Sequence, residues 1–297
     1  AALLAGFLVP IGGIALKDAL THTVQSKKEI EDKTGLTVFG EIGQKQKGEG
    51  EIIDGQSRSF LSEQIRMIRS NLQYLFTQQT TAGGKVLLFT SSTGGEGKSF
   101  VTTNIGASLA LLDKRVVILG LDLRKPKIHE YLNVPSQKGM STYLIGKTTI
   151  GDILQATTLP NVYIIPSGPI PPNPSELIAN GRLEKMLEKL RQEFDFVLLD
   201  TPPLGLVTDA TLMAPLADVT FYLIRHEVTP KQYLQQIKQL NDKRILGSLQ
   251  LIFNAVNYKN SPDYGYGYSY GYGYGYGYYG EEKKGKNLKS LVNKWKK

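Results

Sequence analysis

The residues best suited to chemistry form a glycine-rich loop, Ser91-Ser92-Thr93-Gly94-Gly95-Glu96-Gly97-Lys98-Ser99. An apolar run, Lys85 to Thr90, precedes the loop, and a segment from Val101 to Leu112 that is predicted to be helical follows it. In this setting, backbone N–H groups and the helix N-terminus can bind phosphate oxygens, and Lys98 can reach the terminal phosphates of a nucleotide. A chance glycine-rich turn is the alternative, but it leaves the strand, loop and helix order unexplained.

The loop therefore predicts a site for a nucleoside triphosphate with bound Mg²⁺. Ser92 stands where the usual pattern has its first glycine, and a small residue can be accepted in that turn. Asn254, at the end of the last predicted strand, is a further candidate for contact with the base. The predicted nucleotide-binding residues are Thr93, Gly94, Gly95, Glu96, Gly97, Lys98, Ser99, Phe100 and Asn254.

Two aspartates are placed to help hold the metal. Asp200 ends one apolar run and Asp122 follows another, Val116 to Leu119. Phosphoryl transfer needs Mg²⁺ on the phosphates, with carboxylates from neighbouring strand ends. Either aspartate could instead cap a loop. The predicted metal ligands are Ser99, Asp122 and Asp200, and the predicted catalytic residues are Lys98, Asp122, Asp200 and Arg124.

Arg124 and its neighbour Lys125 could support the phosphates or an acidic substrate, or could simply be surface charges. Asp209 fits a helix cap as well as a supporting acid.

Apolar runs alternate with helical segments around these residues. The spacing of apolar residues between Arg58 and Phe76 predicts an amphipathic helix. Apolar runs separated by helices indicate an α/β fold, a doubly wound and mostly parallel sheet of the P-loop NTPase type. The predicted strands are Val86 to Thr90, Val116 to Leu119, Val162 to Ile165, Phe196 to Leu199, Val219 to Ile224 and Leu249 to Phe253.

Composition excludes several kinds of site. The chain has no cysteine, which rules out disulfides and thiolate nucleophiles, and its three histidines lack the spacing of a zinc site. Its formal net charge is +8, of which the end of the chain from Glu281 contributes +5, from seven lysines and two glutamates. The remainder is nearly balanced, which argues against a nucleic-acid-binding face.

The two ends of the chain differ from its centre. Residues 1–16 carry no charge and are predicted to be the end of a transmembrane helix, with a buried core helix as the alternative. A signal peptide is disfavoured because no basic segment precedes them. Residues 17–56 are predicted to be a juxtamembrane linker, 57–260 the nucleotide-binding domain, and 261–297 a tail with a basic end.

The tail contains nine tyrosines at 264–279, separated by glycine or serine until the final pair. Alternate glycine makes ordering costly, so a disordered tail is predicted. It could accept phosphate or could self-associate through its aromatic rings. Lysines around Leu288, Leu291, Val292 and Trp295 suggest a short helix that binds anionic lipid, with a plain solvated tail as the alternative. The candidate acceptors are Tyr264, Tyr266, Tyr268, Tyr270, Tyr272, Tyr274, Tyr276, Tyr278 and Tyr279.

Together these features resemble bacterial tyrosine kinases, the cytoplasmic module of polysaccharide co-polymerases. Four stretches carry the resemblance: Ser91–Ser99 (Walker A), Leu119–Arg124 (Walker A′), Val197–Pro203 (Walker B) and Pro171–Leu177. The resemblance implies an ATP- and Mg²⁺-dependent protein tyrosine kinase that phosphorylates its own tail in trans. It also implies that this kinase regulates exopolysaccharide or capsule polymerisation and export.

The resemblance extends to assembly and location. Glu63, Arg66 and Arg69 match a Glu-x-x-Arg-x-x-Arg motif, which implies an octameric ring whose subunits offer tails to their neighbours. Taken alone, these residues fit a solvated helix face with an ion pair equally well. Further implied are the bacterial inner membrane, with kinase domain and tail on its cytoplasmic side, the polysaccharide machinery, and a cognate tyrosine phosphatase.

One position departs from the family pattern, since Gly120 stands where an aspartate usually precedes Asp122 by two residues. Asp122 is thus the remaining candidate to accept the phenolic proton. Two alternatives stay open. One is an ATPase switch of the partitioning or cell-division-positioning type, and the other is a nucleotide-binding assembly scaffold without chemistry.

Overall fold

The computed structural model describes residues 21–46, 59–77, 83–205 and 209–258, together with residues 50, 52 and 57. The predicted transmembrane segment at 1–16 and the tail at 261–297 lie outside these residues. No helix in the described ranges has both the length and the apolar content needed to cross a bilayer.

Helices and strands alternate along the described chain. The helices are α1 Lys27–Thr34, α2 Phe60–Thr77, α3 Lys98–Ala110, α4 Ile128–Tyr131, α5 Met140–Leu144, α6 Ile150–Ile153, α7 Pro174–Ile178, α8 Arg182–Glu193, α9 Asp209–Met213 and α10 Gln232–Asp242. The strands are β1 Val38–Gly43, β2 Lys85–Ser91, β3 Val116–Gly120, β4 Gln155–Ala156, β5 Val162–Ile165, β6 Phe196–Asp200, β7 Val219–Arg225 and β8 Leu249–Val256.

The strands form one sheet in the order β1-β8-β7-β2-β6-β3-β5-β4. Neighbouring strands are parallel, except that β4 runs antiparallel to β5. One apolar core packs α2 and α3 against one face of the sheet, and a second packs α8 and α9 against the other. Because both faces are covered, the central strands are apolar on both sides, which is why they are visible as continuous apolar runs. The predicted mostly parallel α/β fold and its six strands are confirmed.

The prediction of a linker over residues 17–56 is wrong for residues 27–43, which contain helix α1 and strand β1. Ser26 accepts the Glu29 N–H (3.2 Å) and caps α1, which ends at Gly35 in the left-handed region (φ 71°). Strand β1 follows and pairs in parallel with β8 at the edge of the sheet. The glycines and the glutamate of β1 interrupt its apolar pattern, so composition alone does not indicate a strand there. Gly40 is required there, because a Cβ atom would collide with the Ile68 side chain of α2.

Candidate active site

The glycine-rich loop connects β2 to α3 at the carboxyl edge of the sheet. Gly95 and Gly97 have φ of 83° and 93°, a backbone region that favours glycine. A Cβ atom added at Gly94 or Gly95 would meet nothing within 4 Å, so this side of the loop is open. The Ser92 hydroxyl lies 3.1 Å from the Tyr222 hydroxyl of β7, and this hydrogen bond explains why serine is accepted in place of glycine.

Lys98 begins α3 and is buried beneath the loop. Its Nζ donates to Ser91 Oγ at 3.1 Å. Burial lowers the pKa of Lys98, while the nearby carboxylates of Asp200, Asp122 and Glu96 act in the opposite direction. The side chain is thus a cation already withdrawn from water, and charge neutralisation of a bound phosphate is stronger in such surroundings.

Asp200, at the end of β6, lies beside the first turn of α3. Ser99 Oγ donates to Asp200 Oδ2 at 2.7 Å. The other carboxylate oxygen, Oδ1, is buried and accepts no hydrogen bond within the described part of the chain. Burial raises the pKa of Asp200 from 3.8 to about 7, opposed by the Ser99 hydrogen bond and by Lys98.

These donors fit Mg²⁺. The Ser99 hydroxyl and the Asp200 carboxylate, with its unused Oδ1, supply hard oxygen ligands of the kind that this ion takes, and its remaining positions are usually filled by waters and substrate phosphates. The described residues contain no group of three or more His, Cys, Asp or Glu side chains able to hold a metal by themselves. Ser99 and Asp200 therefore suit a metal ion that is also coordinated by the phosphates of a bound nucleotide.

Asp122 lies on the loop after β3, next to Asp200. Its N–H and that of Leu121 both donate to the Asp200 carbonyl, at 3.0 and 2.8 Å. Asp122 Oδ1 accepts the N–H groups of Arg124 (3.1 Å) and Lys125 (2.9 Å), so the carboxylate does cap its own loop. Its charge also acts on the pKa of both Lys98 and Asp200, so the carboxylate lies close to these two side chains.

Gly120 is closed in by its neighbours, so the missing aspartate has left no gap. A Cβ atom there would lie 2.6 Å from Ser167 Oγ, 2.9 Å from the Ser167 backbone nitrogen and 2.9 Å from Ile128 Cγ2. Ser167 Oγ is buried without a hydrogen-bond partner among the described residues. Ser167 and Ile128 therefore occupy the space that a side chain at position 120 would need.

Restoring the aspartate should consequently harm the protein. We expect Gly120→Asp and Gly120→Ala to lower the free energy of unfolding by about 1–3 kcal/mol, the usual cost of overpacking a core. Urea denaturation followed by circular dichroism measures this change. Gly94→Ala, where a Cβ meets nothing within 4 Å, is the matched control and should leave stability nearly unchanged. Full stability together with raised activity in Gly120→Asp would contradict this packing argument.

Arg124 forms an ion pair with a buried acid, Asp209. Its Nε donates to Asp209 Oδ2 at 3.0 Å, and one terminal nitrogen donates to Ser175 Oγ at 3.0 Å. Ser175 Oγ in turn donates to Asp209 Oδ1 at 2.5 Å. The three side chains tie α7 and α9 to the loop that carries Asp122. Arg124 is thus held in a structural network, and Asp209, which opens α9, is its main partner.

Glu96 is fully buried inside the loop. Its carboxylate accepts the Thr93 N–H (2.7 Å) and the Thr229 hydroxyl, and burial raises its pKa. Thr229 belongs to the segment after β7, and its carbonyl accepts the Val24 N–H at 2.8 Å. A continuous set of hydrogen bonds therefore runs from the phosphate loop to the start of the described chain. No local sequence signal marks Thr229, which is why it was missed.

The two remaining predicted nucleotide-binding residues, Asn254 and Phe100, contact the loop or the core. Asn254 Nδ2 donates to the Glu96 carbonyl at 2.8 Å, and a Cβ at Gly97 would collide with this amide, so Asn254 packs directly against the loop backbone. Contact of Asn254 with a base stays a prediction. Phe100 packs partly buried against the α2–α3 core.

The arginine motif of α2 makes contacts within its own subunit. Glu63 and Arg66 form an ion pair, and Arg66 also donates to the Ser57 carbonyl at 2.8 Å. Arg69 donates to the Ser108 carbonyl of α3 at 2.9 Å. The i,i+3 ion pair expected of a solvated helix is therefore present, and the role of the motif in assembly stays a prediction.

Comparison with known proteins adds a family to this geometry. The family pattern described as AAA domain matches residues 84–243. The tyrosine-protein kinase CpsD of Streptococcus agalactiae is 31% identical over 220 residues, which make up 72% of this chain and 94% of CpsD. The chain belongs to the bacterial tyrosine-protein kinases.

Other members of this kinase family are similar over most of the chain. The tyrosine-protein kinase Wzc of Salmonella typhimurium is 29% identical over 279 residues, 88% of this chain but only 38% of Wzc. The kinase domain of the Escherichia coli tyrosine kinase ETK superposes with a TM-score of 0.72 at 25% identity, covering 82% of this chain and 100% of that domain. The chimerical protein CapA2B2 gives a TM-score of 0.70 at 31% identity, covering 77% and 99%.

Proposed function

We propose that this tyrosine kinase transfers the γ-phosphoryl group of ATP to tyrosines 264–279 in the tail of another copy. The observation that carries the proposal is the meeting of Lys98, Ser99 and Asp200 where the phosphate loop joins α3, with Ser99 donating to Asp200 at 2.7 Å. The loop N–H groups and Lys98 would bind the phosphates. Ser99 and Asp200 would hold Mg²⁺, which when bound supplies charge neutralisation on the β- and γ-phosphates.

The proposed transfer needs no further reactant, because ATP, the acceptor tyrosine and Asp122 account for every bond and for the proton. The phenolic oxygen of the acceptor bonds to the γ-phosphorus as the bond to the β–γ bridging oxygen breaks, and ADP leaves. The phenolic proton would pass to Asp122, the acid that remains in the Leu119–Arg124 motif when position 120 is glycine. Since the transition state for phosphoryl transfer is loose, a single weakly basic carboxylate is enough. Absence of an acid at position 120 is thus compatible with activity.

The wider role follows from the family resemblance. We propose an octameric ring assembled through Glu63, Arg66 and Arg69, at the inner membrane with the kinase domain on the cytoplasmic side. Phosphorylation would control exopolysaccharide or capsule polymerisation and export, and a cognate phosphatase would reverse it. Each phosphate brings about −1.5 to −2 charges, so a few would cancel the +5 excess that follows the tyrosines.

Intact mass measurement of the full chain tests the transfer. After incubation with Mg²⁺-ATP, we expect a ladder of added phosphates that maps by peptide sequencing to Tyr264–Tyr279. Mixing a Lys98→Met chain with a chain whose nine tail tyrosines are phenylalanine should place phosphate only on the Lys98→Met copy, because transfer occurs in trans.

Other outcomes have definite meanings. ADP release without added phosphate would favour the ATPase switch and overturn the kinase assignment for this chain. Nucleotide binding with neither product would favour the scaffold. Phosphate found only on serine or threonine would contradict the tail as acceptor.

A further inference from the structure

A proline-rich segment, Pro169 to Asn173, forms an exposed rim at the carboxyl end of β5. We call these five residues the acceptor rim. Ile170 is 64% exposed, although it is a large apolar side chain, and Pro169 and Pro172 beside it are also exposed. The rim and its immediate flanks, residues 166–175, contain no charge. An apolar, uncharged surface of this kind beside a catalytic site is suited to a partner of the same character.

The rim is exposed but held at its first end. Before it, the Pro166 and Ser167 carbonyls accept the N–H groups of Met140 (2.8 Å) and Ser141 (2.9 Å). Gly168 adopts φ of 76°, and its N–H donates to Ser136 Oγ at 3.2 Å. The chain therefore enters the rim in a fixed direction.

The second end is fixed by the active-site network. Pro174 is buried as the first residue of α7, and Ser175 is bonded to Asp209 and Arg124. Proline also restricts the backbone between the two ends. A surface that is already ordered loses little entropy when a ligand binds. Such pre-organisation is useful for an acceptor site and has no evident purpose for an ordinary surface loop.

The rim lies next to the proton acceptor. Strand β5 pairs in parallel with β3, Leu119 opposite Ile165, so their carboxyl ends are adjacent. Ser167 packs directly against Gly120, two residues before Asp122. Ile170 follows Ser167 by three residues, which limits the distance between their Cα atoms to about 10–11 Å. An acceptor tyrosine at Asp122 thus has the rim within reach of its neighbouring residues.

We propose that the acceptor rim binds the tyrosine that lies two residues from the one being phosphorylated, in the tail of another copy. This inference rests on the proposed tail phosphorylation. In an extended chain, residues i and i+2 face the same side and lie about 6.6–7 Å apart. One ring can then enter the site at Asp122 while the next packs on Ile170. Residues 264–279 contain only tyrosine, glycine and serine, which matches the uncharged rim.

The period of two has a kinetic consequence. A shift of the tail by two residues restores the same arrangement, with a new tyrosine at Asp122 and another on Ile170. Successive tyrosines from 264 to 278 are therefore equivalent acceptors, and the rim distinguishes them by their spacing. A tail with tyrosine at every third residue would place the next ring on the opposite side of the extended chain.

A trans assay between full chains tests the rim. The donor carries phenylalanine at all nine tail tyrosines and either Ile170, Ile170→Asp or Ile170→Leu. The acceptor carries Lys98→Met and either the natural tail or a tail respaced to one tyrosine in every three residues. With the natural tail, Ile170→Asp should raise the KM for the acceptor about tenfold with kcat nearly unchanged. Ile170→Leu, which keeps an apolar side chain, should have the same KM as the donor with Ile170.

Spacing supplies the decisive comparison. The Ile170 donor should have a KM about tenfold higher for the respaced tail, and Ile170→Asp should cause no further loss with that tail because the contact is already absent. Equal KM values for both tails in all donors, with phosphate still transferred, would overturn the rim alone. No transfer in any pair would overturn the proposed function and the rim with it. Altered oligomeric state in Ile170→Asp, measured by light scattering, would assign the rim to a subunit interface and overturn the tail as its occupant.

Discussion

Lys98→Met is expected to lower tail phosphorylation by about 10²–10³-fold, the usual effect of removing one pre-organised charge from a reacting oxyanion. Methionine can follow the path of the buried lysine stem, and the change removes a cation that burial already disfavours. The variant should therefore remain folded while it loses transfer. Radiolabel from γ-labelled ATP on the full chain measures the rate.

Lys114→Met provides the matched control. Lys114 lies just before β3 at the amino edge of the sheet, far from the phosphate loop, and pairs with exposed Asp195 at 3.5 Å. The same substitution there should leave the rate within about twofold, since an exposed ion pair contributes little. Comparable losses in both variants would show that the effect at Lys98 is not local to the site.

Asp200→Asn is expected to reduce phosphorylation by a similar 10²–10³-fold, because the amide cannot supply the negative charge that a phosphate-bound cation requires. The same substitution should, by contrast, increase the stability of the folded chain at pH 8. Without nucleotide or metal, Asp200 is a buried carboxyl whose pKa is raised to about 7. At pH 8 the wild-type chain must hold this group ionised in a poorly solvated place, and asparagine avoids that cost.

The pH dependence follows from proton binding. Below about pH 3, Asp200 is protonated in both folded and unfolded chains and contributes no pH dependence. Between about pH 4 and 7 the folded chain keeps the proton that the unfolded chain releases, so stability falls as pH rises through this window. Each pKa unit corresponds to about 1.36 kcal/mol, so the loss amounts to a few kcal/mol.

Thermal unfolding without Mg²⁺ or nucleotide tests this sign. Asp200→Asn should melt above the wild type at pH 8 and close to it at pH 4. Asp113→Asn is the control, because Asp113 is exposed and its φ of 57° suits asparagine equally well. A lower melting temperature for Asp200→Asn at pH 8 would mean that the carboxylate is stabilised in the empty site.

The central sheet was predictable because its strands are buried on both faces. Val86 to Thr90 and Phe196 to Leu199 are apolar at every position but the last threonine, and no solvated strand has that pattern. Strand β1 was missed because it lies at the sheet edge, contains two glycines, and has only partly buried residues at its centre. The strand order was also beyond the sequence, since apolar runs do not state which neighbours they pair with.

The residues of the candidate site also divide into those that the sequence indicates and those that only the fold reveals. That Lys98, Ser99 and Asp200 lie together was predictable, because the loop pattern and the strand that ends at Asp200 place them at one edge of the sheet. Thr229 and Tyr222 act on the loop from more than a hundred residues away in sequence, through ordinary hydroxyls that carry no local signal. Arg124 was expected to reach phosphate or substrate, but its binding to Asp209 and Ser175 became visible only when the fold brought three distant segments together.

The edge position of β1 bears on how the protein can be divided. Val38–Gly43 covers one side of β8, whose residues are mostly buried and apolar. A chain cut at residue 57, the boundary that the sequence suggested, would leave β8 with a row of unpaired backbone groups along an apolar strand. Open strands of this kind pair with other copies of themselves and seed aggregation. Val38–Gly43 therefore also covers the backbone groups of β8 along this edge, so a kinase domain cut out of the chain should retain this strand.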